Sequence, residues 1–461
     1  MSDMRIGGGR GRPRRGRLAA ALMLSALAAC DVEGLLDVDA PGQIPAERLE
    51  DPKYAALLVN GAVADFECAL GAFILVGGIM GDELADAQLG SAGWWYDRRD
   101  AGTNTGGAYG VNGCDANQTP GVYRPVSTAR WSADNALRNL QGWTDAQVPS
   151  RAALIATAAT YAGFSYGMLG MAMCSAAVDA GPELTSQQLF ALAEQRFTTA
   201  METGGADAAT VLAARVGRAR VRLYQGNRTG AAADARLVPA GFVLNATASQ
   251  DNNRRYNRLF AANTLNGFYT VDPQSRELRT GGEVDPRTAA RDAGRLASDG
   301  TQLWAQQKYT GYSAPIPIAT GREARLILAE AEGGQTAVDL INTLRDAAGL
   351  PRFDGGDDAA VARELVEERR RELWLEGQAG RRPVRSAPDE RRAGRGKLGK
   401  GEAADVVHPL PLQPQLAPPL LDELAGDGRV VAPAEARKAG RVAQRVDEVH
   451  GHLPALRLRQ D

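Results

Sequence analysis

The chain has 461 residues, enough for one large domain or two to three ordinary ones, and it is 44% hydrophobic and 23% charged. That composition can bury a substantial core, which excludes a wholly disordered chain and a polytopic membrane protein. The formal charge of −2 conceals a net of −10 over residues 30–374, which argues against non-specific nucleic-acid binding. The only histidines are His408, His450 and His452, so no chemistry that needs an imidazole can sit before them.

The first thirty residues read as an address. Arg10, Arg12, Arg14, Arg15 and Arg17 form a basic start, and Leu18 to Ala29 is an apolar run too short to span a bilayer permanently. The run ends Leu27-Ala28-Ala29-Cys30, which is similar to the bacterial lipobox, so residues 1–29 are expected to be a lipoprotein signal peptide and Cys30 the lipidation site. Asp31, Glu33 and a loose stretch holding Pro41, Gly42 and Pro45 follow as a tether. In an oxidising compartment Cys68, Cys114 and Cys174 allow one disulfide, with three pairings open and one thiol left over; none has metal-ligand spacing. Residues 87–130 are rich in Gly, Asn, Tyr and Trp and read as an irregular insertion.

Helical pairs then dominate. Leu154 to Met173 predicts one helix. Its uncharged surroundings, Ala152 to Val178, and the pair Gly163 and Gly167 admit a membrane-spanning reading, but small residues pack helices closely in soluble bundles too. Gln187 to Met201 predicts a second helix, capped by Thr185 or Ser186, with Leu189, Phe190, Ala193, Phe197 and Ala200 on one face. Ala193, Phe197 and Ala200 resemble the second helix of a tetratricopeptide repeat. A further pair covers Ala213 to Tyr224 and Ala231 to Leu237. After a second non-helical insertion at 241–320 come Glu323 to Glu332, with Ile327, Leu328 and Ala331 inward, and Ala337 to Ala348, with Gly349 suited to a left-handed C-cap. A last helix is expected from Ala359 to Glu376. Its run Glu367-Glu368-Arg369-Arg370-Arg371-Glu372 reads as a solvated face with an i,i+4 pair, Glu367 to Arg371. The expected fold class is all-α: a tetratricopeptide-like helical superhelix with long irregular insertions.

The ordered set of motifs resembles a family. Arg325-Leu326-Ile327-Leu328-Ala329-Glu330-Ala331 precedes Ile341-Asn342-Thr343-Leu344-Arg345, and Glu367-Glu368-Arg369-Arg370-Arg371-Glu372-Leu373-Trp374-Leu375-Glu376-Gly377 closes the series. Together with the lipobox and Arg130-Trp131-Ser132-Ala133-Asp134-Asn135, this wording is similar to the SusD/RagB family of outer-membrane nutrient-binding lipoproteins over about residues 30–377. The resemblance implies a non-enzymatic, lipid-anchored protein of the outer membrane, exposed at the cell surface. It would need no cofactor or metal. It would capture an oligosaccharide or peptide and pass it to a SusC-like TonB-dependent transporter. A tetratricopeptide-like periplasmic lipoprotein acting as an assembly scaffold is the alternative.

Sugars offer flat C–H faces to aromatic rings and hydroxyls to polar groups. Trp94, Trp95 and Tyr96 in the first insertion are therefore the expected ligand platform, with Trp304, Tyr309 and Tyr312 of the second as further candidates. Asp97, Arg98 and Arg99 beside the platform could bond hydroxyls or a carboxylate. Asp82, Glu83 and Asp86, read on a helix, could form a glycosidase carboxylate pair, but that spacing more often marks a solvated face. After Trp374 no Phe, Tyr, Trp, Ile, Met, Cys, Asn or Thr occurs. Residues 378–461 thus read as a low-complexity tail, either frameshifted just after Gly377 or disordered.

Overall fold

The structure, a computed structural model, describes residues 49–88, 97 and 121–378. They belong to one unit of chain, Met1–Ser386; a second unit, Ala387–Asp461, lies outside the described residues, as do Cys30 with its lipobox and the tail from 379 onward.

Nine helices can be followed among the described residues: α1 (Ala55–Met80), α2 (Tyr123–Gly142), α3 (Arg151–Ala172), α4 (Ser186–Glu202), α5 (Ala208–Tyr224), α6 (Arg228–Ala235), α7 (Gly321–Glu332), α8 (Gly334–Ala348) and α9 (Asp358–Glu372). Local chemistry sets most starts. Thr185 and Gln188 form a capping box at α4, and Asp207, Asn227, Thr320 and Asp357 each accept a backbone N–H at the first turn of their helix. Gly349 closes α8 in the left-handed conformation, as its position predicts. Successive helices from α1 to α6 pack on one another, α7 joins α5, α6 and α8, and α9 packs on α7 and α8. The fold is all-α in class.

Small residues let these helices touch. Phe197 of α4 is 1% exposed and lies between α3 and α5. A Cβ placed on Gly163 would stand 2.7 Å from its ring, and one on Gly217 would stand 2.3 Å away. Both glycines therefore hold space for one phenylalanine, which also meets Phe164 edge-on at 5.0 Å. The Gly/Ala-rich α3 is thus a core helix of the stack. It and the segment Pro52–Met80 are long and apolar enough to cross a membrane, yet most of both is buried in protein.

The second insertion is more ordered than its composition suggests. It holds antiparallel two-stranded pairs and a single π-turn at Phe260–Leu265. β4 (Val243–Ala246) pairs with β10 (Ile316–Thr320), β6 (Arg279–Thr280) with β7 (Glu283–Val284), and β8 (Ala290–Leu296) with β9 (Gln302–Gln306). β5 (Tyr269–Val271) pairs back to β1 (Leu84–Asp86), just after α1, while β2 (Ser175–Ala177) and β3 (Glu183–Thr185) form a small hairpin ahead of α4.

One local expectation is corrected. α9 ends at Glu372, and its charges are not a solvated face: Glu368 is 0% exposed, and Arg369, Arg370 and Glu372 are buried as well. Glu368 accepts from Arg287 and from Arg345 (3.0 Å), and Glu372 from Arg287 (2.9 Å). Arg369 reaches Glu330 of α7, and Arg370 donates to Gln274 O and Ser275 Oγ. Their partners are distant in sequence, so i,i+4 reasoning sees only the half-buried Glu367–Arg371 pair (3.4 Å). On α7, Ile327 is buried and Leu328 and Ala331 pack partly buried against the core, as expected, and Leu326 and Ala329 are buried as well. Among the cysteines, Cys68 is disulfide-bonded and Cys174 is a free, exposed thiol, which agrees with one disulfide and removes the two pairings that use Cys174.

Two stability tests follow from this packing. Gly217→Ala gains about 1 kcal/mol of helix propensity but forces an overpacking cost of about 1–3 kcal/mol, so denaturant unfolding should show a net loss of about 1 kcal/mol where an ordinary helical glycine would show a gain. Glu368→Gln leaves two buried guanidiniums short of charge and should cost about 3 kcal/mol, at the low end for a broken buried pair because Arg287 keeps Asp285 and Arg345 keeps Glu364.

Candidate ligand-binding site

Leu84, Ala85 and Asp86 of β1 lie opposite Val271, Thr270 and Tyr269 of β5, and β5 packs on β9. Ala87 continues the ladder by donating to Phe268 O, and Asp299 N donates to Ala87 O (2.9 Å). From this root the chain enters the first insertion. Trp94, Trp95 and Tyr96 lie outside the described residues, as do Arg98 and Arg99. Asp97 is described, and its charge is felt at Asp86.

Burial, the neighbouring Asp97 and, more weakly, Asp299 push the Asp86 carboxyl up to about 7, against a backbone N–H from Gln88. A carboxyl titrating near neutrality can accept from or donate to a sugar hydroxyl. Asp82 and Glu83 do not join it. Asp82 sits in a turn with φ 59° and Asp86 on a strand, which removes the helix on which the glycosidase pair was drawn. Glu83 is buried and accepts from Leu375 N (3.2 Å), 292 residues along the chain. Burial raises its carboxyl to about 7 despite Leu375 N, Lys308 and Arg370. Among the described residues, no group of three His, Cys, Asp or Glu side chains could hold a metal ion.

The second insertion sends its three candidate rings to three environments. Trp304 is half-buried on β9, and the Arg276 guanidinium covers its ring at 5.0 Å. Tyr309 is 2% exposed and donates its hydroxyl to Leu375 O (2.9 Å); its ring packs in the core and is not presented as a platform. Tyr312 is partly exposed, 4.3 Å from the ring of Tyr256 and edge-on to Phe260 at 5.3 Å.

Tyr256 lines a shallow cleft that the sequence reading missed. Its walls are Glu67, Cys68 and Gly71 of α1, Thr247 after β4, and Arg254, Arg255 and Arg258. Asp65 holds Arg254 (2.8 Å), and Glu67 accepts from Thr247 N (2.7 Å) and lies 3.6 Å from Arg255. Arg258 is buried along Gly71, and its charge reaches the Tyr269 hydroxyl, which burial and Asp86 push upward. The cleft and the β1–β5 pair therefore share an electrostatic neighbour. The triplet Arg254-Arg255-Tyr256 was visible in the sequence, but nothing there places it against α1.

No family model matches the chain, and no curated protein matches it. Solved structures do. A SusD-like carbohydrate-binding protein from Bacteroides vulgatus is 17% identical, with TM-score 0.50 over 71% of this chain and 82% of that one. A SusD superfamily protein from Parabacteroides distasonis is 12% identical, with TM-score 0.53 over 73% and 87%. NanU from B. fragilis is 13% identical, with TM-score 0.54 over 73% and 91%. The chain has a layered helical fold with a strand-bearing insertion, and that fold is the SusD fold.

The two raised carboxyls make stability depend on pH. An acid whose folded pKa lies above its unfolded one contributes fully below the unfolded value, and that contribution is lost as pH rises toward the folded one. Thermal unfolding should therefore show stability falling between about pH 4 and about pH 7. Glu83→Gln, which keeps an acceptor for Leu375 N, and Asp86→Asn should each flatten that fall; the lowered Asp179, Asp207 and Asp285 act in the opposite sense only at more acid pH.

Proposed function

We propose that this chain is a non-catalytic, surface-exposed lipoprotein of the outer membrane that captures an oligosaccharide, or a peptide, and delivers it to a SusC-like TonB-dependent transporter. Acyl chains on Cys30 anchor it, and Trp94, Trp95 and Tyr96 carry the ligand, with Trp304 and Tyr312 as accessory rings. The observation that carries this reading is the SusD fold, with an aromatic-bearing excursion rooted on the β1–β5 pair beside Asp86, Asp97 and Asp299. Stacking of aromatic rings on sugar C–H faces supplies affinity, and polar groups at the root bond hydroxyls. Asp82 lies in a turn, Glu83 accepts from Leu375 N and Asp86 stands on β1 beside Asp97, so the reading assigns no reaction to them.

A glycan and peptide array probed with the full chain tests ligand capture. Trp94→Ala and Trp95→Ala should each weaken binding about tenfold or more, a loss of about 1.4 kcal/mol; unchanged binding in both variants discards the platform. Cys30→Ser should release the protein from the membrane fraction, and retention there would remove the anchor.

A further inference from the structure

We propose that the cleft between α1 and the Arg254–Arg258 segment recognises an anionic substituent, a carboxylate or sulfate, on the captured glycan. The proposal rests on the glycan-binding reading above and narrows it to acidic glycans.

Charge is the first argument. Residues 30–374 carry a net −10, yet this cleft is lined by three guanidiniums within five residues, of which Arg254 pairs with Asp65 and Arg255 lies near Glu67. Glu67 is largely taken up by Thr247, which donates to it from both its backbone N–H and its hydroxyl. The side chains of Arg254 and Arg255 are 54% and 39% exposed, so they face the cleft mouth.

Unmet hydrogen bonding is the second. Arg255 donates one Nη to Thr247 Oγ1, but its Nε–H is buried and finds no acceptor among the described residues. A buried donor left without an acceptor is costly, and a carboxylate or sulfate oxygen would supply one. Guanidinium suits this role better than ammonium, because its planar fork matches two oxygens at once.

The third argument selects a sugar over a simple anion. Tyr256 lines the same cleft, and its ring is braced by Tyr312 and, through it, by Phe260. An aromatic wall beside a guanidinium fork fits a pyranose whose ring packs on tyrosine while its charged group meets arginine. Arg258 lines the cleft as well.

The test uses the full chain on an array that pairs uronic-acid and sulfated oligosaccharides with neutral counterparts of the same backbone, with acidic peptides alongside. Acidic forms should bind at least about tenfold tighter than neutral ones, and raising NaCl from about 0.05 M to about 0.5 M should erase that preference while leaving neutral binding unchanged. Arg254→Gln and Arg255→Gln should each remove the acid preference, whereas Trp94→Ala should weaken acidic and neutral forms alike. Arg255→Lys, which keeps the charge but loses the fork, should retain only part of the preference. Glycan binding without acid preference, or a preference untouched by salt and by both arginine variants, overturns the cleft assignment and leaves the glycan reading intact. Binding of acidic peptides in place of glycans overturns the cleft assignment, and absence of any glycan binding overturns both.

Discussion

The structure depends on a line of carboxylates that leaves no freedom in how the insertion meets the helices. Glu368, Glu372 and Glu376 follow one another at four-residue spacing and are all buried. Their cations come from different parts of the chain: Arg287 and Lys308 from the insertion, Arg322 from α7 and Arg345 from α8. A buried carboxylate without its cation is untenable, so each pair must form together with the others. The ladder's contribution lies in placement more than in net stability, since buried ion pairs roughly balance desolvation against attraction. It fixes the strands on the hairpins, and Trp374, Leu375 and Tyr309 then seal the junction. The root of the excursion is part of the same construction, because Glu83 accepts from Leu375 N immediately ahead of β1.

The helices from α3 onward were legible because each carries an amphipathic stripe marked by a side-chain cap or a glycine turn, or a long run of small residues between breakers. α1 was not. Its 26 residues are apolar on nearly every side, so no period marks it, and a helix of that kind belongs in a core. The ion ladder was misread for a different reason. Local rules pair Glu367 with Arg371 and stop there, while the partners of Glu368 lie 81 and 23 residues away. The strands of the insertion are two to seven residues long, too short for alternation to separate them from loop.

Aromatic residues show the same limit at the site. Trp304, Tyr309 and Tyr312 stand within nine residues of sequence and have one composition argument in common, yet one lies under a guanidinium, one seals the core and one braces a cleft. Sequence identifies a ring's capacity to pack on a sugar; which rings are already spent on the protein is decided by tertiary contacts. The basic cleft was hidden equally, since Asp65 and Glu67 are separated from Arg254 and Arg255 by nearly 190 residues and meet them only because α1 is a helix.

Charge placement gives the two sides of the proposed site different work. Asp86, Asp97 and Asp299 gather beside the platform root, where an anionic group would be repelled and hydroxyls accepted. Arg254, Arg255 and Arg258 gather at the cleft, where the preference is reversed. A glycan carrying one charged unit would then have a single favourable direction of binding, its anion at the arginines and its neutral units at the aromatic excursion. Coulomb attraction between exposed charges is weak in salt water, so the arginines alone would not hold the ligand. Their role is to select among chains that the aromatic rings can hold, because a neutral sugar forgoes the ion pair that an acidic one makes with them.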